Sequence, residues 1–284
     1  MNNRILILGA SGFIGSYLIE HIASCGHLVT GTYNLHQKPR LEHLDILNYE
    51  ELIVTLSRIR PSLVIFLSGT KDVFRCEKEP AYAIDLNVQT VRNYITSCDS
   101  VGIKPNTLYF STDYVFDGVK GHYNNGDPVG AKTVYGVTNI LAERLFLAAD
   151  LSTTIVRVSA VMGRRGGFYR WLEESLQNNR RITLFDNTYF SPTSIGRLCR
   201  YVNDIANLHF EEGVKIAHLS DGYRLSRFQF GRLIAKKMQK PANYIVPEEA
   251  DFDLTGFQPD LSILPDGMPM FKKNELWNEF EDIY

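Results

Sequence analysis

The feature that most constrains the fold is a glycine-rich turn that directly follows a short apolar segment at the N-terminus. Ile5 to Leu8 form an unbroken apolar run, which is typical of a strand buried on both faces of a parallel sheet. The turn Gly9–Gly15 has glycine at its first, fourth and seventh positions and leads into an apolar helical repeat. Such a turn lets the backbone approach a pyrophosphate, and the free N–H groups of the helix attract the anion. The residues predicted to contact a dinucleotide here are Gly9, Ser11, Gly12, Phe13 and Ile14.

Apolar strands that alternate with helices are predicted along the first half of the chain. After Ile5–Leu8, strands are predicted at residues 28–33, 63–67, 107–110 and 154–158. Asn48-x-x-Glu51 and Ser226-x-x-Gln229 resemble capping boxes, which begin helices. The alternation predicts an α/β fold with a Rossmann-type parallel sheet and helices on both faces. Because it weakens after about residue 160, we expect an NAD(P)-binding domain over 1–160 and a smaller substrate-binding lobe over 161–284, interleaved with it.

Charge and cysteine content narrow the class of ligand. The 30 Lys and Arg residues nearly balance 32 Asp and Glu residues, which gives no broad field for nucleic acid or anionic lipid. No apolar stretch approaches the roughly 20 residues of a membrane helix. The four cysteines form no CxxC pair, so we expect no metal site and no disulfide framework. The sequence therefore predicts a cytoplasmic protein that binds small molecules and neither nucleic acid nor a membrane.

The end of the second predicted strand bears on the choice of nicotinamide cofactor. NAD-specific sites usually carry Asp or Glu there to bind the ribose 2'-hydroxyl, but this chain has Gly31-Thr32-Tyr33-Asn34. Lys38 and Arg40 follow and are suited to neutralise a 2'-phosphate, although a basic loop is also typical of a solvated surface. We expect NADPH to be the cofactor, with NADH left open.

Several motifs, taken together, resemble one known family. They are the glycine turn, the segment STDYVFDG from Ser111 to Gly118, a helix that begins VYG at Val134, Leu141-Ala142-Glu143 and Ser191-Pro192-Thr193. In this order they resemble the dTDP-4-dehydrorhamnose reductases, which are extended short-chain dehydrogenases/reductases. The regulatory β subunit of methionine adenosyltransferase is related and shares the same motifs. The resemblance therefore covers both a reductase of sugar nucleotides and a binding subunit.

The resemblance implies roles for individual residues. Thr112 would hold the substrate carbonyl and Tyr135 would protonate it, because a carbonyl that gains hydride needs a donor at its oxygen. Without the family motif, Tyr135 would be one of fifteen tyrosines with an ordinary packing role. The pair Asp45-Ile46 would contact adenine. The residues implied to lie along the cofactor with their backbone are Leu67, Ser68 and Gly69.

The chain also departs from the family pattern. The family's Tyr-x-x-x-Lys helix here reads Tyr135 to Asn139, so an amide replaces the lysine that binds the nicotinamide ribose. Asn139 is able to hydrogen-bond the ribose but carries no charge. Lys71 and Lys132 are candidates for a displaced ammonium, with a solvated surface role as the alternative.

A second departure concerns the sugar pocket. The aromatic residue that rhamnose-forming members carry after the sixth strand is replaced within Ser159–Met162, and Arg164-Arg165 follows as a candidate diphosphate clamp or a solvated loop. We therefore expect NADPH-dependent reduction of a 4-keto-6-deoxysugar nucleotide, with a homodimer left open. The alternative is a non-catalytic NAD(P)-binding subunit with a regulatory or scaffolding role.

Overall fold

The computed structural model describes residues 4–208, 212–252 and 258–266 of the chain. Strands and helices alternate along it. The strands are β1 (Arg4–Leu8), β2 (Leu28–Tyr33), β3 (Glu42–His43), β4 (Leu63–Phe66), β5 (Asn106–Thr112), β6 (Thr153–Val158), β7 (Val161–Met162), β8 (Ile182–Phe185), β9 (Tyr189–Phe190), β10 (Thr193–Ser194), β11 (Val214–Leu219), β12 (Leu225–Ser226) and β13 (Ile245–Glu248). The helices are α1 (Phe13–Ser24), α2 (Tyr49–Ile59), α3 (Val73–Lys78), α4 (Pro80–Ile84), α5 (Thr90–Val101), α6 (Val134–Ala148), α7 (Gly167–Gln177), α8 (Ile195–Asn207) and α9 (Arg227–Lys237).

The main sheet has the strand order β11-β6-β5-β4-β1-β2-β3. Neighbouring strands from β5 to β3 are parallel, and Ile5 of β1 aligns with Val29 of β2 and with Leu63 of β4. The order reverses at β1, which lies between β2 and β4. Residues Ile5–Leu8 are at most 1% exposed, as a parallel strand requires when helices cover both faces of its sheet. The prediction of a Rossmann-type α/β fold is confirmed.

Two local predictions differ in detail from the structure. The strand predicted to end at Phe110 continues to Thr112, because Ser111 and Thr112 are buried although they are polar. The helix predicted to begin after Asn48 does so, and the Asn48 side chain accepts hydrogen bonds from the N–H groups of its first turn. In a capping box, the Glu51 carboxylate would accept a hydrogen bond from the N–H of Asn48. Here it accepts from the N–H of Asp45 instead, at 3.1 Å. The capping box at Ser226 is confirmed.

The chain divides into two compact units that are interleaved in sequence. Unit 1 comprises Met1–Val115, Thr133–Arg157 and Cys199–Ala217. Unit 2 comprises Phe116–Lys132, Val158–Leu198 and His218–Tyr284. The functional division at residue 160 stays a prediction.

Each unit has its own apolar core. In unit 1, the Phe66 ring packs edge to face with Tyr94 and Phe146, whose own rings are tilted against each other, and the centroids are 5.5 to 6.3 Å apart. In unit 2, Phe230 is the centre of a cluster that also contains Tyr169 and Phe190. Full burial of such a side chain contributes about 1.5–3 kcal/mol. The core of unit 1 thus fixes the ends of β1, β4 and β5, where the candidate site lies.

Candidate active site

The candidate site lies where the strand order of the main sheet reverses. The carboxyl ends of β1 and β4 are adjacent, because the N–H of Leu67 donates to the carbonyl of Leu8 at 3.0 Å. The loops that follow are also close, since a Cβ added to Gly9 would lie 3.1 Å from the nitrogen of Ser68. Open α/β sheets bind their ligands at this crevice. The glycine turn and the segment Leu67–Gly69, predicted separately from the sequence, are therefore brought together.

The glycine turn forms a backbone cradle with little space for side chains inside it. Gly9 has φ +88°, a conformation that favours glycine, and its carbonyl accepts from the N–H of Gly12 at 3.2 Å. A Cβ on Gly15 would lie 2.5 Å from the Gly9 oxygen and 2.6 Å from the Ala10 Cα. A Cβ on Gly12 would meet only the Gly9 oxygen, at 3.4 Å. Gly15 is thus needed for packing, whereas Gly12 leaves a face of the turn open to a ligand.

The N-terminus of α1 provides the donors for an anion. Gly12 is the N-cap residue and contributes no side-chain cap, and the first turn contains no acidic residue. The N–H groups of Phe13 and Ile14 therefore have no partner within the helix. Ser11 precedes them and is half-buried. This arrangement of donors and absent side chains fits the diphosphate of a dinucleotide.

The end of β2 places polar groups where an adenosine ribose is expected. The Asn34 side chain donates to the Asp45 carboxylate at 3.2 Å. Ile46 is buried beside it, with 5% of its surface exposed. Lys38 and Arg40 are both exposed, and Arg40 has φ +64°. The adenine contacts of the Asp45-Ile46 pair, and the 2'-phosphate contacts of the two cations, stay predictions.

The loop after β4 is held by a buried amide that the sequence analysis did not single out. The Asn87 side-chain oxygen accepts from the N–H of Thr70 at 2.8 Å, and its nitrogen donates to the Thr138 hydroxyl at 3.0 Å. Gly69, with φ +149°, packs against the same amide. Asn87 lies in a π-helical turn, Asp85–Gln89, and such turns often mark functional sites. Asn87 thus links the predicted cofactor loop to α6.

Two side chains fix the start of α6, which carries Tyr135. The Thr133 hydroxyl accepts from the N–H of Gly136 at 3.0 Å and acts as the N-cap. The Glu77 carboxylate accepts from the N–H of Val134 at 2.6 Å. The first turn of the helix therefore has defined partners, and Tyr135 has a fixed backbone position.

Thr112 and Tyr135, which lie 23 positions apart in the sequence, come together in unit 1. Thr112 is the last residue of β5, and its hydroxyl donates to the Asp113 carboxylate at 3.1 Å. Burial raises the pKa of the Tyr135 phenol above its ordinary value, and the negative charge of Asp113 acts in the same direction. A hydrogen bond with the Thr112 side chain partly opposes this effect. The phenol is therefore protonated at neutral pH and able to donate.

The side chain of Asn139 is directed into the protein. Its nitrogen donates to the carbonyl of Tyr135 at 2.8 Å, and its oxygen accepts from the Tyr109 hydroxyl at 3.3 Å. Burial raises the pKa of Tyr109 well above its ordinary value, which keeps that hydroxyl a donor. The predicted ribose contact of Asn139 stays a prediction and would use the second N–H of the amide.

A buried ion pair attaches α6 to the sheet. Glu143 and Arg157 are each about 3% exposed, and their side chains form two hydrogen bonds of 2.9 and 2.7 Å. The Glu143 carboxylate also accepts from the Ser111 hydroxyl at 2.6 Å. From the sequence alone, Glu143 is known only as the last residue of the Leu141-Ala142-Glu143 motif. The structure shows that it joins α6 to both β5 and β6.

The basic side chains that the sequence analysis named as candidate ligands of the cofactor or substrate lie in different parts of the structure. The ammonium of Lys71 lies 5.8 Å from the centroid of the Phe13 ring, at the start of α1. Lys132 is exposed in unit 2. Hydrogen bonds with the Tyr123 hydroxyl and the N–H of Val119 lower the pKa of Asp117 there, and the charge of Lys132 adds a smaller effect in the same direction. Arg164 lies 3.5 Å from the Glu173 carboxylate, also in unit 2. Of the two lysines, Lys71 is the one that the structure places beside the glycine turn.

The segment without the family's aromatic residue is part of a small sheet in unit 2. Within Ser159–Met162, residues Val161 and Met162 form β7, which pairs in parallel with β10. The buried Ser159 hydroxyl accepts from the N–H of Ser191 at 3.2 Å. The two residues that directly follow β6, Ser159 and Ala160, thus have small side chains.

Metal-binding clusters and membrane-spanning helices are both missing from the residues that the structure describes. In that part of the chain, no cluster of His, Cys, Asp or Glu is arranged to hold a metal ion. None of the helices described there combines the length and apolar character needed to cross a membrane.

Known proteins with similar sequences include a reductase and a regulatory subunit. A probable low-salt glycan biosynthesis reductase, Agl14 of Haloferax volcanii, is 27% identical over 91% of this chain and 88% of its own length. The methionine adenosyltransferase 2 subunit beta of Xenopus tropicalis is 24% identical over 86% of this chain and 75% of its own. Among solved structures, the dTDP-4-dehydrorhamnose reductase of Bacillus anthracis in complex with NADP superimposes with a TM-score of 0.85, covers 99% of both chains and is 23% identical.

The strongest assignment comes from a family model. The RmlD substrate binding domain model matches residues 3–266, which include the glycine turn, Thr112 and Tyr135. The resemblance inferred from the motifs is thereby confirmed. The chain belongs to the RmlD family of sugar-nucleotide reductases and their relatives.

Proposed function

We propose that this protein reduces the keto group of a 4-keto-6-deoxysugar nucleotide with NADPH. The observation that carries the proposal is the pairing of Thr112 with a half-buried Tyr135, whose pKa is raised, in the unit that also contains the glycine turn. The match to the RmlD family model and the similarity to Agl14, a probable glycan biosynthesis reductase, support it. The identity of the sugar is left to experiment, because the position after β6 lacks the aromatic of rhamnose-forming members.

The chemistry assigns one task to each side chain. The bound nicotinamide supplies a hydride to the carbonyl carbon. Thr112 turns its single hydroxyl proton from the Asp113 carboxylate to the carbonyl oxygen of the bound substrate and so orients it, and Tyr135 donates a proton to that oxygen as negative charge develops. Asp113 lies against Thr112 and disfavours the phenolate form of Tyr135. The site is therefore better suited to reduce a ketone than to oxidise an alcohol, which would need the phenolate as base.

NADPH is the proposed cofactor for two reasons. The residues at the end of β2 include no Asp or Glu, and the Asp45 carboxylate nearby is engaged by the Asn34 side chain. Lys38 and Arg40 are exposed and follow closely in the sequence. The Bacillus anthracis enzyme, similar to this chain in fold, was solved with NADP.

We expect Arg40→Gln to weaken NADPH binding by about tenfold, because it removes one charge-assisted contact with the 2'-phosphate. Binding of NADH, which lacks that phosphate, should be unchanged, so NADH is the control ligand. Dissociation constants from fluorescence titration of both cofactors give the result. Equal affinity of the parent protein for NADH and NADPH, or equal losses for both in the variant, would contradict the proposal.

The proposed activity is tested by following NADPH oxidation over a panel of keto-sugar nucleotides with different bases and sugars. We expect consumption of NADPH with at least one 4-keto-6-deoxysugar nucleotide and none with the corresponding reduced sugars. Absence of turnover in the parent protein and in Asn139→Lys, which restores the family's lysine, would refute the proposed reaction.

A second function is favoured by the contacts of Asn139. Its two polar atoms bind Tyr109 and the Tyr135 backbone, so position 139 contributes packing where the family pattern has a charged cofactor ligand. The corresponding alternative is a non-catalytic subunit that binds a dinucleotide and has a regulatory role. One relative of this chain, the methionine adenosyltransferase 2 subunit beta, is named as a subunit. Such a protein would bind NADPH and leave the whole substrate panel unreduced.

A further inference from the structure

The loop after β4 brings a lysine to the start of the first helix. The Lys71 ammonium lies 5.8 Å from the centre of the Phe13 ring. Phe13 is the first residue of α1, and its ring packs edge to face with Tyr17 at 5.8 Å. The ammonium therefore lies against the side chain of the first residue of α1, whose N–H group is among those proposed to bind the cofactor diphosphate.

The backbone around Lys71 is fixed by hydrogen bonds on both sides. The N–H of Thr70 donates to the buried Asn87 amide at 2.8 Å, and the Thr70 hydroxyl accepts from the N–H of Asp72 at 3.2 Å. The carbonyl of Lys71 accepts from the N–H of Val73 at 3.0 Å. Lys71 thus projects from an anchored turn, and its position beside the glycine turn follows from the buried Asn87.

No carboxylate among the described residues forms an ion pair with Lys71. Its neighbour Asp72 is engaged as the N-cap of α3, where it accepts from the N–H of Arg75 at 3.0 Å. The first turn of α1 has no acidic residue either. Two positive features, the ammonium and the helix N-terminus, therefore come together without a neutralising anion from the described chain.

We propose that Lys71 binds the diphosphate of the dinucleotide and so supplies a positive charge to the cofactor from the β4 loop. This inference rests on the proposed function only in that it uses the same cofactor site. It identifies which residue provides a cation in a chain whose position 139 is an uncharged amide. An ammonium can reach different phosphate oxygens without the fixed geometry that a guanidinium needs.

The test compares two lysines of the same segment by replacing each with methionine, which keeps the side-chain length and removes the charge. Lys71→Met should weaken NADPH and NADH by the same factor, about tenfold, because both contain the diphosphate. Lys78→Met is the matched control: Lys78 is also exposed and lies 4.1 Å from the Phe74 ring. It should bind both cofactors as the parent does, and Lys71→Arg should retain most of the affinity.

A third ligand locates the contact within the cofactor. ADP-ribose contains the diphosphate but no nicotinamide, so Lys71→Met should weaken it by the same factor. A loss with NADPH alone would place the ammonium at the 2'-phosphate and overturn the proposal. Unchanged affinity for all three ligands, or an equal loss in Lys78→Met, would overturn it as well.

These titrations use no sugar nucleotide and so separate this inference from the proposed reaction. A parent protein that binds both dinucleotides through Lys71 but reduces no keto sugar would refute the reaction alone. A protein that reduces a keto sugar and is indifferent to Lys71→Met would refute the inference alone. Thermal melting of each variant in the absence of ligand shows that the fold is retained.

Discussion

Replacing Tyr135 by Phe is expected to lower kcat/KM for ketone reduction by about 100- to 10,000-fold, the range typical of a lost general acid. The ring and its packing remain, while the proton donor beside Thr112 is removed. The affinity for NADPH should stay within about threefold of the parent value, because the phenol acts in the transition state. NADPH oxidation and cofactor titration, measured on the same preparation, give both quantities.

The neighbouring Tyr114 offers a control for this experiment. Its ring centroid lies 5.5 Å from that of Tyr135, yet it has no proposed part in proton transfer. Tyr114→Phe should change kcat/KM much less than Tyr135→Phe. Equal losses in the two variants, or a Tyr135→Phe variant that retains full activity, would show that Tyr135 is not the donor.

The pH dependence of the reduction rate gives a second test of the role of the Tyr135 phenol. Burial raises the pKa of Tyr135 above the ordinary value of 10.0. Since reduction needs the protonated form, the contribution of Tyr135 is present at neutral pH and is lost only as the pH rises through the raised pKa. The rate of reduction should therefore show no alkaline decline from this group below about pH 10. A decline centred near neutral pH would indicate that a positive charge lowers the pKa of the phenol.

The sequence predicted the parts of the site that depend on local pattern. An apolar run followed by regularly spaced glycines determines a strand, a turn and a helix within the first 24 residues. Strand order then follows from right-handed crossovers, which bring the Gly9 turn and Leu67–Gly69 to one crevice. Thr112 and Tyr135 were paired by the family motif, and the structure places them in contact.

Partners distant in the sequence were not predictable in the same way. Asn139 contacts Tyr109 across 30 positions, and Asn87 contacts Thr138 across 51. Periodicity indicates which face of a helix is buried but not which polar atom it meets there. The Glu143–Arg157 pair was hidden for the same reason, because buried charges are rare and their pairing depends on the packing of α6 against the sheet.

The glycine turn allows cofactor binding to be separated from folding. Gly12 has φ -71° and ψ 176°, an extended conformation that valine also adopts, and a Cβ there meets no atom closer than 3.4 Å. Gly12→Val should therefore fold normally. Its side chain would project from the turn into the space proposed for the diphosphate, so we expect the affinity for NADPH and NADH to fall by at least about 100-fold.

Gly15→Ala is the contrasting variant. Alanine is smaller than valine, yet at position 15 it should lower the stability of the fold more than valine does at position 12. Its Cβ would lie 2.5 Å from the Gly9 oxygen, a clash with backbone that only a shift of α1 relieves. Overpacking of this kind costs about 1–3 kcal/mol or more, so the melting temperature should fall well below that of Gly12→Val. Melting curves without ligand, followed by titration of both cofactors, separate the two effects. If Gly12→Val melts like the parent and still binds NADPH with parental affinity, the diphosphate does not lie on this turn, and the proposed role of Lys71 toward the diphosphate loses its basis.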